Sequence, residues 1–293
     1  MATYSIEELL EYAKEGRTDA MWNLYVLYKG QNKEQEGLNW LRRSAELNFG
    51  LAQHEMGLYE ATGRCGPINH EKAFDWYLKG ANNGNIESAE RVGSRFVEGL
   101  GVEKDVKRGR EWLMVAANHG YPRAMFNLGH SYLHEEPEDL HEWFYWLDRT
   151  SARGYPLACR TQAHFHQTGE FGVQVDHEKA FSLLSDASQN AGCPIAQHEL
   201  AVLYANGIGT SQDLTQSYFF AKVSCENPLS NEETQESAEY VLNQISPHLS
   251  DSVKNELSEK AKRFKPNNDQ KILNTMTDGS SVSWTIWGER VFS

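Results

Sequence analysis

The chain has 293 residues, with 41 acidic against 28 basic side chains and a formal net charge of −13. Nucleic acid and anionic membrane surfaces both recruit basic faces, so this charge argues against either as a partner. At 40% hydrophobic and 11% aromatic, with eight tryptophans, the composition is that of a folded soluble chain rather than a disordered one.

Residues 1–17 read as an N-terminal capping helix. Ser5 and Glu8 have capping-box spacing, and the helix runs from Ile6 to Glu15 before Gly16 ends it. This segment is acidic and amphipathic, without the basic and apolar regions of a secretory signal, and no run in the chain approaches the ~18 apolar residues of a membrane span. The cytoplasm is therefore the expected compartment. The four cysteines, Cys65, Cys159, Cys193 and Cys225, lack paired short spacing and read as reduced thiols. No metal or other cofactor is expected.

From residue 18 to 230 the chain repeats itself. Copies start at Ala20, Ala52, Ser88, Ala124, Ala158 and Ala196, separated by 32, 36, 36, 34 and 38 residues. Within a copy, a small residue, a Leu, Met or Val four later and an aromatic eight later share one helical stripe, as in Ala20/Leu24/Tyr28 and Ser88/Val92/Phe96. A small residue at the fifth position (Gly57, Gly93, Gly129, Ala163, Ala201) admits a neighbouring helix; the first copy has Tyr25 there. A glycine turn follows, as in Gly99-Leu-Gly101 and Gly207-Ile-Gly209, and then Asn69, Asp105, Asp176 or Asp213 caps a second helix. That helix carries a large apolar residue (Trp40, Trp76, Trp112, Trp146, Leu184, Phe220) toward the core, with Trp22 and Trp143 off this register and expected to be partly exposed. One helix pair cannot bury both faces, so the fold class is all-α, a solenoid of about six helix-turn-helix repeats with helical caps. Gly93→Leu or Gly129→Leu should cost about 1–3 kcal/mol by overpacking the helix contact.

Residues 231–264 read as two C-terminal capping helices, Glu232–Ile245 and Asp251–Phe264, broken at Pro247, with Ser250 as N-cap. A chain ending at 230 should expose the last repeat and lose solubility. Residues 265–293 form a short non-repeat tail. Its end places Val282, Trp284, Ile286, Trp287, Val291 and Phe292 close together. Either the tail folds back on the solenoid or Trp284, Trp287 and Phe292 meet a partner.

The pattern A-x3-[LM]-G-x2-Y-x2-G-x-G-V-x3-D-x3-A-x2-W-x3-A-A-x2-G resembles the Sel1-like repeat, a relative of the tetratricopeptide repeat. Residues 88–120 carry it most fully, and six copies extend it over roughly residues 18–225. The Ala20 copy departs with a shortened loop, and the Ala124 copy has His134-Glu-Glu-Pro137 in place of the glycine turn. The resemblance implies that the first helix of each repeat lines a concave face. The candidate partner-binding residues are then those two and three positions after each start: Trp22 and Asn23, His54 and Glu55, Glu90 and Arg91, Phe126 and Asn127, Arg160 and Thr161, His198 and Glu199.

The resemblance also implies a non-enzymatic adaptor that binds a protein. The alternative is an inhibitor, such as a bacterial immunity protein, steered to a basic toxin by the acidic charge. An enzyme is the third class, since some proteins of this kind are hydrolases. Catalytic constellations are not evident. His164 and His166 point about 200° apart on a helix. The recurring Gln53-His54-Glu55 and Gln197-His198-Glu199 suggest a surface role set by the repeat. Gly99-Leu-Gly101 lacks the context of a phosphate loop. Oligomeric state is not specified by any of these features.

Overall fold

The computed structural model describes residues 5–64, 66–134 and 139–266, and its regular structure there is helical throughout. Helix α1 (Ile6–Lys14) precedes six pairs: α2 (Thr18–Gly30) and α3 (Glu34–Glu46), α4 (Gly50–Thr62) and α5 (His70–Asn82), α6 (Ile86–Glu98) and α7 (Val106–Asn118), α8 (Pro122–Ser131) and α9 (Leu140–Ser151), α10 (Pro156–Thr168) and α11 (His177–Gln189), α12 (Pro194–Asn206) and α13 (Leu214–Glu226). Helices α14 (Glu232–Ile245) and α15 (Asp251–Lys262) follow. The chain divides into two compact units, Met1–Trp143 and Phe144–Ser293. The tail residues Trp284, Trp287 and Phe292, and Glu135–Pro137 of the fourth loop, lie outside the described residues.

Local chemistry accounts for the helix boundaries. Ser5 and Glu8 form the reciprocal capping box at α1. The side chains of Asn69, Asp105, Asp176 and Asp213 accept from backbone amides in the first turns of α5, α7, α11 and α13, satisfying donors that helix geometry leaves open. Ser250 does the same for α15, which ends at Lys262, two residues short of the expected Phe264. The first helices behave differently. Among them α6 alone has a side-chain cap, from Asn85, and α8, α10 and α12 start on proline.

In the first unit the core runs through Ala20, Leu24, Leu41, Ala52, Met56, Ala73, Tyr77, Val92 and Leu113, all buried. In the second unit α10–α15 bury Ala180, Leu184, Ala196, Leu200, Phe219 and Phe220, with Val241, Leu242 and Ile245 of α14 closing the same cluster. Removing α14 and α15 would uncover Phe219 and Val223, so truncation after Ser230 is expected to lower both soluble yield and melting temperature, measured on the purified chain.

Three of the four recurring tryptophans sit less deeply than the repeat pattern places them. Trp40, Trp76 and Trp112 are half-buried, and the residue after each, Leu41, Tyr77 or Leu113, is the one fully enclosed. The indoles pack across clusters shared by neighbouring helix pairs, and their outer faces lie under cations: Arg43 over Trp40 at 5.9 Å and Lys79 over Trp76 at 4.5 Å. Trp146 is buried as expected, whereas Trp143, expected to be partly exposed, is 2% exposed because α8 covers it through Phe126 and His130. His166, eight residues after the start of its copy at the position where other copies carry an aromatic, is half-exposed, and the preceding Phe165 is buried.

Three glycines have steric causes. A Cβ on Gly93 would stand 2.7 Å from Leu113 Cγ and 2.8 Å from the Gly109 carbonyl, so α6 and α7 meet backbone to backbone there. At Gly101 a Cβ would collide with the His70 carbonyl at the start of α5, and at Gly209 with the His177 carbonyl at the start of α11; both residues have left-handed φ, +75° and +68°. The second glycine of the turn thus seats one repeat on the preceding one.

Candidate functional site

On the first helices several of the side chains two and three positions after the starts, namely His54, Glu55, Glu90, Asn127, Arg160 and Glu199, are drawn into polar ties between neighbouring repeats. At the α2–α4 seam, Tyr25 Oη donates to Glu55, and Lys29 Nζ donates to Glu55 Oε1 at 2.8 Å and to Tyr25 Oη at 2.8 Å. Tyr59 Oη donates to Glu34 Oε1 at 2.9 Å. Burial and the Glu55 hydrogen bond push the Tyr25 hydroxyl far up, and burial pushes Tyr59 up to about 12. Burial works to raise Glu55, but the hydrogen bonds from Lys29 and Tyr25 outweigh it and hold its carboxyl below the usual range. Both tyrosines therefore stay protonated and the carboxylate stays charged.

At the α4–α6 seam the tie is neutral. His54 is buried with Nδ1 3.1 Å from Ser88 Oγ. Burial, helped by the Arg91 charge, lowers its pKa from 6.5 to about 4. A histidine with a depressed folded pKa contributes stability that is complete above its unfolded pKa. That contribution is lost as pH falls through the window from 6.5 to about 4. The window corresponds to about 2–4 kcal/mol. Denaturant unfolding of a His54→Gln chain at a series of pH values is expected to show a flatter profile across it than the parent.

At the α6–α8 seam a carboxylate is enclosed. Glu90 is 1% exposed. Arg123 pairs with its Oε2, Asn127 Nδ2 donates to Oε1 at 2.8 Å, Ser94 Oγ donates to Oε1 at 2.9 Å, and Arg91 Nε stands 3.9 Å from Oε2. Burial would raise the Glu90 pKa, but Arg123 and Arg91 overcome it and the net shift is downward. In the second unit Arg160 grips Glu199 with two parallel bonds, Nε to Oε2 at 3.0 Å and Nη2 to Oε1 at 2.6 Å.

The structure therefore places Glu90, Arg91, Phe126 and His54 inside, and Glu55, Asn127, Arg160 and Glu199 in half-buried ties. Trp22 is half-buried against Tyr25 at 5.3 Å and Phe49 at 6.2 Å, Asn23 is exposed, and Thr161 and His198 are half-exposed. The recurring glutamine of Gln-His-Glu is a buried structural amide rather than a surface group. Gln53 accepts from Asn83 Nδ2 at 2.8 Å and Gln197 from Asn227 Nδ2 at 3.0 Å, each tying a first helix to the next turn.

The open position on these helices is six after the start: Val26, Leu58, Ser94 and His130 in the first unit, His164 and Val202 in the second, all at least partly exposed. Val26 is 49% exposed beside Asn23. Sequence reasoning missed this register. Opposite charges on successive copies, Glu90 with Arg123 and Arg160 with Glu199, were the signal that the nearer positions face one another. An open cleft of about 540 Å³, lined by Lys29, Asn32, Glu34 and Arg64, lies at the ends of α2 and α4.

Among the described residues the two histidines of His164-Phe-His166 do not converge. His164 Nε2 lies 3.5 Å from Glu170 and His166 Nδ1 lies 3.2 Å from the Gln174 carbonyl, so the two rings serve different partners. Burial pushes the Cys159 thiol up to about 12 and raises Cys193 as well, which keeps both protonated. Among the described residues no three His, Cys, Asp or Glu side chains are grouped to hold a metal ion, and no helix is long and apolar enough to cross a membrane.

Comparison with known proteins places these repeats. The model of the Sel1 repeat family matches residues 19–49, 50–85, 86–121, 122–155, 157–191 and 194–228, each match holding one helix pair. A chitin synthase regulator of Saccharomyces cerevisiae is 28% identical over 198 residues, covering 63% of this chain and 28% of that protein. An ERAD-associated E3 ubiquitin-protein ligase component of Arabidopsis thaliana is 34% identical over 113 residues, 38% of this chain and 18% of that protein. The chain thus spans under a third of the length of these relatives. A protective antigen of uropathogenic Escherichia coli with the SLR fold superposes with a TM-score of 0.63 at 21% identity, over 94% of this chain and 64% of that one.

Proposed function

The chain belongs to the Sel1 repeat family, and from that premise we propose that it is a non-enzymatic scaffold that binds a protein partner along the first helices of its repeats. One observation carries the reading. The polar ties hold these helices in fixed register while the sixth position stays at least partly open to solvent, with Val26 the most open apolar side chain on it. A rigid surface of this kind costs little conformational entropy on binding. Two relatives bear names of the same sort, one a regulator and one a component of an enzyme assembly, neither named as an enzyme alone.

The test is capture of a stoichiometric partner by the tagged chain, compared with a Val26→Asp chain of equal melting temperature. Partner held by the parent and lost from the variant supports the surface; equal capture by both removes it. Running the capture at low and high salt addresses the second reading. The −13 charge favours an inhibitor steered to a basic target, whose association should slow steeply as salt rises.

A further inference from the structure

The turn of the fifth repeat contains one residue more than its counterparts. Gly99 to Asp105 and Gly207 to Asp213 span six positions, whereas Gly169 to Asp176 spans seven. The extra length is used to hold Phe171 in the left-handed conformation, φ +54° and ψ +21°, with the ring 44% exposed. Left-handed backbone is unfavourable for a bulky L-residue, and glycine or asparagine would stand there more readily. The fold receives two edge contacts in return, to Phe165 at 5.2 Å and to Phe144 at 6.3 Å. Val175, 48% exposed, extends the apolar surface. Strain maintained at an exposed aromatic is the pattern of a recognition element.

We propose that Phe171 is the anchor of a second docking surface, distinct from the first-helix strip, and that its occupant is a protein segment pairing an apolar side chain with lysine or arginine. Charge complementarity identifies the occupant. The turn and the first turn of α11 expose Asp176 and Glu178, with Glu170 half-exposed beside His164, against the cation Lys179, on a chain of net charge −13. Aromatic anchors ringed by carboxylates accept basic amphipathic segments and repel acidic ones.

The test uses the full chain with a synthetic helical peptide of leucines and lysines, and with its isosteric leucine–glutamate counterpart, each titrated by calorimetry. The lysine peptide should bind and the glutamate peptide should not. Phe171→Asn, which suits left-handed backbone, should weaken lysine-peptide binding about tenfold or more and leave the melting temperature equal or higher. Val26→Asp should leave this binding unchanged, so the two surfaces succeed or fail separately. Equal binding by Phe171→Asn, no binding by the parent, or a clear fall in melting temperature in both Phe171→Asn and Phe171→Gly would each overturn the proposal. A concentration-dependent dimer abolished by Phe171→Asn would overturn it too, making a second copy the occupant.

Discussion

A Glu90→Gln chain is expected to lose about 3–5 kcal/mol of unfolding free energy at neutral pH, read by urea denaturation. The substitution is nearly isosteric, and the bonds from Asn127 and Ser94 can persist, so the loss isolates the charge. Two buried guanidiniums, Arg91 and Arg123, would then face an amide in place of a carboxylate, and burial already lowers the Arg91 pKa. The pH dependence has a definite sign. The folded pKa of Glu90 lies below the ordinary carboxyl value of 4.5, so its contribution is complete above that value and disappears as pH falls through the folded pKa. The gap between parent and variant should therefore narrow in acid. A constant gap from pH 7 to pH 3 would mean that shape, not charge, is what Glu90 supplies.

Gly101→Ala and Gly209→Ala are expected to be the most damaging single-methyl changes in the chain, at about 2–5 kcal/mol each. Two penalties coincide at each position. The φ of +75° or +68° is unfavourable for alanine, and the new methyl would enter the space of a backbone carbonyl, that of His70 or His177. A carbonyl at a helix start cannot rotate away as a side-chain tip can, so relief requires one repeat to lift from its neighbour. Gly84→Ala is the matched control: its φ is +81°, but its Cβ would meet nothing within 4 Å. The difference between control and test, measured by thermal melting, separates strain from collision. Equal losses would remove the seating role assigned to the second glycine.

Much of the architecture was legible because capping and turn chemistry are local. Asn69, Asp105, Asp176 and Asp213 announce second helices by side-chain chemistry alone, and each caps as expected. The burial of the tryptophans was misread because a repeat position marks where residues recur, not how deeply they sit. An indole is large enough to span two clusters, and a cation can cover the edge left outside. The candidate surface suffered from the same limit. Helical spacing places Glu90 and Glu199 on the first-helix face, but only the neighbouring copy decides whether that face meets solvent or another side chain. Phe171 was unreadable for a different reason: a one-residue insertion changes no periodicity, and its consequence appears only in the backbone angle.

The ties between repeats also bear on how such a chain can be shortened or lengthened over generations. Each staple is assembled from two copies, so neither half is useful alone. Glu55 answers to Tyr25 and Lys29, Glu90 to Arg123, and Arg160 to Glu199. A duplication or deletion that cuts between such partners strands a charge against an unmatched surface. Within the first unit, the α4–α6 seam rests on an imidazole that burial keeps neutral, His54 with Nδ1 at Ser88 Oγ and Nε2 3.7 Å from Glu87, and a break near residue 85 leaves the flanking charge pairs whole. Where a carboxylate and its cation sit on successive copies, the segment that can be copied or removed without stranding a charge is the pair of repeats rather than one repeat alone.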